Sequence, residues 1–205
     1  MEEKAYSEFV IDQARFIDDF STFMNGVGDY WVGGGWGASL ICGKVQREHV
    51  GVDVCTESSY KNDVLDFLLD NKFTIKAETE NKLVALKGDL KAYIVLMDYD
   101  NGCYTFSTEK FYNNIRVPTD FFRRFEGRIE KIDKEFFEGA LRDVTLDANT
   151  LTPALFITSK KAYGKQMRDK DIADIKAVEA RLQEEGMEKE KELYESECKE
   201  LLAYK

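Results

Sequence analysis

The stretch from Tyr30 to Val54 constrains the fold of this chain most strongly. Tyr30-Trp31-Val32 reads as a short buried strand, Gly33-Gly34-Gly35 as a turn, and Trp36 to Ile41 as a short helix stopped by Gly43. After Arg47-Glu48-His49, a second apolar run, Val52-Asp53-Val54-Cys55, reads as the next strand and carries one carboxylate, Asp53. Glycines between a strand and a helix let backbone N–H groups approach a polyphosphate, and the helix N-terminus favours negative charge. The plainer alternative for three glycines is a tight strand-to-helix turn. Gly51 lies two residues before Asp53 and on the same strand face, where a second metal-binding carboxylate would stand.

Periodicity extends the pattern on both sides. Phe9, Phe16, Phe20 and Phe23 make one apolar stripe and predict a helix over residues 7–25, ended by Gly26-Val27-Gly28-Asp29. Asn62 to Asp70 reads as a helix with Val64, Leu65, Leu68 and Leu69 on its buried side. Phe73–Ile75, Leu83–Leu86 and Ala92–Met97 read as strands. Asp100-Asn101-Gly102 is a turn signal, leading to a strand through Tyr104 and Phe106. Phe125–Ile132 and Val144–Leu146 read as short strands. Helices are predicted over Leu155–Tyr163, with Pro153 near the start, and from Asp169, where Ile172, Ile175, Val178 and Leu182 form a stripe. Gly186 is a candidate break before a last short helix through Leu193, Tyr194, Cys198, Leu201 and Leu202. The expected fold class is α+β, a small mixed sheet with helices on one side. Residues 1–150 form the core, and residues 151–205 a C-terminal helical segment packed on it.

With 205 residues, 43% hydrophobic, the chain can bury a real core. A net charge of −10 with one histidine argues against nucleic acid as a partner, although Arg123-Arg124 and Lys160-Lys161 are local basic patches. An acidic N-terminus, no span-length apolar segment and four scattered cysteines argue against a signal peptide, a membrane partner, a zinc site or a disulfide scaffold. The expectation is a reduced, cytoplasmic protein, with a homodimer left open.

Two separated blocks carry a family resemblance. Gly34-Gly35-Trp36-Gly37, Gly43-Lys44, Arg47-Glu48-His49 and Val52-Asp53-Val54 resemble the lincosamide and aminoglycoside nucleotidyltransferase family. Tyr163, followed by Arg168-Asp169-Lys170-Asp171-Ile172-Ala173-Asp174-Ile175, resembles that family's Tyr…Arg-x-Lys-Asp-x-x-Asp helix start. The resemblance implies the fold of DNA polymerase β-like nucleotidyltransferases. It also implies transfer of a nucleoside monophosphate from a nucleoside triphosphate to a drug hydroxyl, with Mg²⁺ bridging the triphosphate. Position by position, Gly34 and Gly35 would face the triphosphate, and Asp53 would be the catalytic metal ligand. Arg47, His49 and Lys170 would neighbour the phosphates.

The chain departs from that pattern. The family's x-Asp-x-Asp is Val50-Gly51-Val52-Asp53 here. The family's third acid, the general base on the acceptor hydroxyl, falls on the strand Tyr93–Met97, which has no acid; Asp98 and Asp100 lie just beyond and read as part of the turn. Loss of a general base is worth roughly 10²–10⁴-fold in rate. The leading expectation is therefore a pocket that binds a nucleotide or small molecule with lost or weak transfer. One alternative is an active Mg²⁺-dependent transferase using Asp53 with Asp98 or Asp100, and with Glu57. Another is a non-enzymatic interaction protein, antitoxin-like, using the acidic helix after Gly186.

The remaining singled-out residues have quieter readings. His49 is open between a general base or phosphate contact and a structural residue bonded to the loop. Trp31 and Trp36 read as core, and Cys42 and Cys55 as small buried hydrophobes. Phe106, Phe111, Tyr112, Phe121 and Phe122 read as core or cleft wall. Glu184–Glu192 reads as a solvated helix face with i,i+4 pairs such as Glu185–Lys189.

Overall fold

The computed structural model describes residues 8–108, 111–122, 125–132, 144–162 and 164–203. Arg123-Arg124 and Tyr163 fall outside this set, and so do the side chains of Phe106, Phe111 and Tyr112.

The order is α1 (Glu8–Met24), β1 (Tyr30–Val32), α2 (Gly34–Cys42), β2 (Val52–Glu57), α3 (Lys61–Asp70), β3 (Thr74–Glu78), β4 (Lys82–Lys87) and β5 (Leu90–Asp100). Then follow β6 (Cys103–Thr108), β7 (Phe111–Pro118), β8 (Phe125–Ile132), β9 (Val144–Thr150), α4 (Pro153–Lys161), α5 (Asp169–Arg181) and α6 (Glu188–Ala203). The chain is mixed α+β, as expected. Its sheet is larger than the small one expected, with nine strands in the order β3-β4-β5-β2-β1-β9-β8, and β6 and β7 added at the far end of β5. Pairings β1–β9 and β2–β5 are parallel, and β1–β2 and β4–β5 are antiparallel.

Helices cover both faces rather than one, because β1 and β5 are apolar on both sides. Tyr30 and Val32 point into one cluster with α1, α3 and the inward residues of β2, β4 and β5. Trp31, between them, points into the other, with Ala154, Leu155 and Ile157 of α4, Ile175 and Val178 of α5, and Leu201 of α6. α2 serves both clusters, through Trp36 and Leu40 on one side and Ala38 and Ile41 on the other. The first cluster is stapled by aromatics of α1 and α3, with Phe23 and Phe67 stacked at 4.7 Å and Phe20 edge-on to Phe67 at 5.4 Å. Each such pair adds about 0.5–1.5 kcal/mol beyond the area it buries.

Local differences from the sequence reading have local causes. The second helix begins at Gly34, so Gly34 and Gly35 are its first turn rather than a loop ahead of it. On α3, Val64 and Leu68 are buried, but Leu69 is half exposed, one step off the stripe. On α5, Ile175 and Val178 are buried and Ile172 is partly exposed, near the helix start. β5 runs through Asp98 to Asp100, so these residues are strand and not turn. The turn itself is Asn101-Gly102, both at positive φ (47° and 74°), which is the two-residue type I′ geometry a twisted hairpin favours. Pro153 stands in the first turn of α4, with Thr152 Oγ1 accepting the Leu155 amide at 3.2 Å. The break at Gly186 is real, with φ 86°, and separates α5 from α6. Glu185 sits in that break, so the expected helical i,i+4 pairing with Lys189 has no continuous helix to support it. No helix among the described residues is long and apolar enough to cross a membrane.

Candidate functional site

The first turn of α2 is the floor of the site. Gly33, its N-cap, is extended and offers no side-chain cap, and the turn contains no acidic residue. Its leading amides therefore have no partner within the helix, and the dipole leaves that end positive.

Three polar groups lie directly on the two glycines that follow. A Cβ on Gly34 would stand 1.9 Å from Asp53 Oδ2, and Gly34 itself has φ +56°, which favours glycine. A Cβ on Gly35 would stand 2.2 Å from His49 Nδ1 and 2.8 Å from Arg47 Nη2. Strand β2 holds Asp53 in place. The Gly33 amide donates to the Asp53 carbonyl at 2.8 Å, tying the turn to the strand. The two blocks quoted from the sequence meet where Arg47 Nη2 lies 2.9 Å from Asp174 Oδ2; Gly34 lies against Asp53, Gly35 against His49 and Arg47, and the charge of Lys170 acts on both His49 and Asp53.

His49 is buried and firmly held. Its carbonyl accepts from Gln13 Nε2 at 2.9 Å, Gln13 Oε1 accepts from Trp36 Nε1 at 2.6 Å, and the ring centroids of Trp36 and His49 lie 5.2 Å apart. Its Nε2 is 2.9 Å from Ser39 Oγ, which also accepts the Gln46 amide at 3.2 Å. Donor and acceptor roles in that contact follow the imidazole tautomer, and the other ring nitrogen is Nδ1. That Nδ1 is buried without a partner. Burial, and then the neighbouring Arg47, lower the His49 pKa to about 4, so the imidazole is neutral at pH 7. His49 is both a structural residue and the bearer of an unsatisfied ring nitrogen facing the glycine turn.

Behind this lies an ion network that the sequence reading did not identify as a unit. Asp174 accepts from Arg47 Nε at 3.2 Å and Nη2 at 2.9 Å, and from Lys160 Nζ at 3.3 Å. Asp171 accepts from Lys160 Nζ at 2.7 Å, from the Arg168 amide at 3.2 Å, and from Arg168 Nε at 2.7 Å and Nη2 at 3.0 Å. Both carboxylates and Lys160 are buried. Burial pushes the Asp171 carboxyl up, but the hydrogen bonds from Arg168 and Lys160 win and hold it well below the usual carboxylate range. Lys160 was read as half of a basic patch. It is a core ion, and only its neighbour Lys161, paired with Glu179 at 3.1 Å, lies on the surface. The available signal was position, since Lys160 follows the apolar run Pro153–Ile157 of the same helix at i+3 from Ile157 and i+4 from Phe156.

The carboxylates expected elsewhere do not converge on Asp53. Tyr93 is the β5 partner of Asp53, and Val95 is the partner of Cys55. Asp98 is five residues past Tyr93, about 16 Å along the strand, and faces the other side. It accepts from Ser58 Oγ at 2.6 Å, while Asp100 is paired with Arg116 at 3.4 Å. Glu57 lies four residues beyond Asp53 on β2 and accepts from Ser59 Oγ at 2.6 Å. Among the described residues no group of three His, Cys, Asp or Glu side chains could hold a metal ion. A lone carboxylate does not fit Mg²⁺, which requires near-octahedral oxygen ligation. Burial also raises the Asp53 pKa, against the pull of Lys160, Arg168 and Lys170.

The other sequence readings mostly hold. Trp31, Trp36, Phe121 and Phe122 are core residues. Cys42 and Cys55 are half-buried, with thiols pushed by burial up to about 11 and about 12, so neither is a reactive thiolate. The apolar side of α6 packs on the chain's own core through Tyr194, Cys198 and Leu201.

The chain is similar to known proteins. Residues 20–98 match the family model described as aminoglycoside-2''-adenylyltransferase. A lincosamide resistance protein of Staphylococcus haemolyticus is 31% identical over 65 residues, a match spanning 32% of this chain and 40% of that protein's length. Among solved structures, the lincomycin-bound lincosamide antibiotic adenylyltransferase LnuA superposes with a TM-score of 0.60 at 18% identity, covering 87% of this chain and 99% of that one. ANT(2'')-Ia in complex with adenylyl-2''-tobramycin gives 0.59 at 15% identity, covering 93% and 99%. At such identities the structural likeness is one of fold. The chain thus resembles lincosamide and aminoglycoside nucleotidyltransferases in sequence over residues 20–98 and shares their fold over most of its length.

Proposed function

We propose that this protein binds a nucleoside triphosphate, or a small molecule resembling the substrates of its relatives, in the cleft beside Asp53, with weak or lost nucleotidyl transfer. One observation carries the reading: an uncapped helix N-terminus lies against a single candidate metal carboxylate, Asp53, on which Lys160, Arg168 and Lys170 act, while Arg47, Lys160 and Arg168 are paired with Asp171 and Asp174 behind it. The positive charge favours a polyphosphate. The lone carboxylate disfavours the metal-assisted in-line displacement that transfer requires.

The relatives suggest the ligand class. One solved neighbour holds lincomycin and the other an adenylylated tobramycin. In the proposed complex, Gly34 and Gly35 face the triphosphate, with Arg47, His49 and Lys170 beside the phosphates. A hydroxyl-bearing small molecule occupies the open side of the cleft. The net charge of −10 supports a ligand other than nucleic acid.

Calorimetric titration of the full chain with ATP, GTP, CTP and UTP, with and without Mg²⁺, tests the reading. Saturable binding of at least one nucleotide is expected. Absence of binding by all four in both conditions would sink it.

A further inference from the structure

We infer that this site takes its polyanion free of divalent metal, the anion's charge being met by Lys170 and the first-turn amides of α2, beside the unpartnered Nδ1 of His49. The inference rests on the phosphate-binding reading above and specifies the form of the ligand.

The first ground is that the place of a second metal carboxylate is closed, not merely vacated. A Cβ on Gly51 would stand 2.7 Å from the Lys91 carbonyl oxygen, 3.0 Å from Lys91 Cβ and 3.0 Å from Tyr93 Cε2. The Lys91 oxygen belongs to β5 backbone, which is locked to β2 by the parallel register Val52–Ala92 and Asp53–Tyr93. The ring of Tyr93 occupies the remaining side. Any side chain at residue 51 needs the two strands to part.

The second ground is an excess of fixed positive charge. Arg47, Lys160 and Arg168 share two carboxylates, Asp171 and Asp174. Lys170 adds a fourth cation and enters no ion pair among the described residues, so the four cations face three carboxylates, Asp53, Asp171 and Asp174. A triphosphate arriving with Mg²⁺ would bring its own counter-charge into a site that already supplies one. A metal-free triphosphate relieves the crowding of like charges.

The third ground is independent of charge. His49 is 3% exposed, and its Nδ1 is buried without a hydrogen-bond partner against the first turn of α2. A buried polar atom without a partner is uncommon and points to a ligand group that satisfies it. With the ring proton on Nδ1, an anion oxygen over the glycine turn is its acceptor.

The test is calorimetry on the full chain with inorganic triphosphate and with ATP, in EDTA and in excess Mg²⁺, repeated on Lys170→Ala and Lys170→Arg variants whose fold is checked by circular dichroism. Expected are binding in EDTA, severalfold weaker binding in Mg²⁺, a loss of about tenfold in Lys170→Ala, and recovery of most of it in Lys170→Arg. Binding that requires Mg²⁺ would overturn the inference and leave the phosphate reading standing. Metal-free binding indifferent to Lys170→Ala would overturn the assignment of the counter-charge. No binding in either condition would overturn both the inference and the reading beneath it.

Discussion

Arg47 Nη2 and Asp174 Oδ2 lie 2.9 Å apart, although 127 residues separate them in the chain. The same guanidinium lies against the glycine turn, so the C-terminal helices and the strand-turn-helix unit of the cleft are fastened at one point. Asp174 is 1% exposed, and Arg47 about a quarter, so the pair is buried at one end and open toward the cleft at the other. The arrangement gives the buried charges of α4 and α5 a positioning role for Arg47 and, through the intervening loop, for His49.

Breaking the network from behind therefore has a cost out of proportion to its place on the map of charged residues. Lys160→Met is expected to destabilise the protein toward the lower end of about 3–5 kcal/mol, because Arg47 and Arg168 remain to serve Asp174 and Asp171. Lys161→Met, one residue on and paired on the surface, should stay within about 0.5 kcal/mol. Urea denaturation of the two variants measures the contrast.

The single histidine allows an unambiguous titration. Its NMR resonances should show a midpoint near 4 rather than the ordinary 6.5. Because the folded value is depressed, the contribution of His49 to stability is whole above about pH 6.5 and is lost as pH falls toward 4. The amount is on the order of 3 kcal/mol. His49→Gln should flatten the stability profile in that window. A midpoint near 6.5 in the folded protein would contradict the buried, neutral imidazole.

The glycine floor leaves no room for methyl groups. Gly34→Ala meets Asp53 Oδ2 and a positive φ, and Gly35→Ala meets the His49 ring. Each should cost about 1–3 kcal/mol and abolish ligand binding, whereas Gly88→Ala, at positive φ but in open space, should cost stability alone. Thermal melts alongside calorimetry separate the two effects.

Restoring the absent acid should not restore the metal. Gly51→Asp is expected to destabilise by about 1–3 kcal/mol through the close approach to Lys91 and Tyr93, with no gain in Mg²⁺ or Mn²⁺ affinity. Mn²⁺ binding followed by electron paramagnetic resonance, with melting curves of the same variant, checks both halves.

Much of the fold was legible where one local rule governs one element. The strand-glycine-helix unit, the stop at Gly43 and the break at Gly186 all came from glycine chemistry, and α1 from a clean aromatic stripe. Helices on the second face were not legible, because β1 and β5 are apolar on both sides and a short apolar run does not tell how many layers it touches. The length of β5 was misread because Asp98 and Asp100 look like turn residues. Only pairing with β6 shows that they are strand. In the site, Gly34 lies against Asp53 and Gly35 against His49 and Arg47, the residues the family resemblance had singled out. Lys160 did not announce itself, since a lysine beside another lysine reads as surface, and its burial depends on two aspartates on a different helix.

Whether the site beside Asp53 binds without efficient transfer is read from incubation of the protein with α-labelled nucleoside triphosphates, Mg²⁺ and a panel of lincosamide and aminoglycoside acceptors, following labelled product and pyrophosphate. Expected is nucleotide binding with turnover far below the ordinary enzymatic range of about 1–10³ s⁻¹. Mg²⁺-dependent labelling of any acceptor within that range would show an active transferase instead.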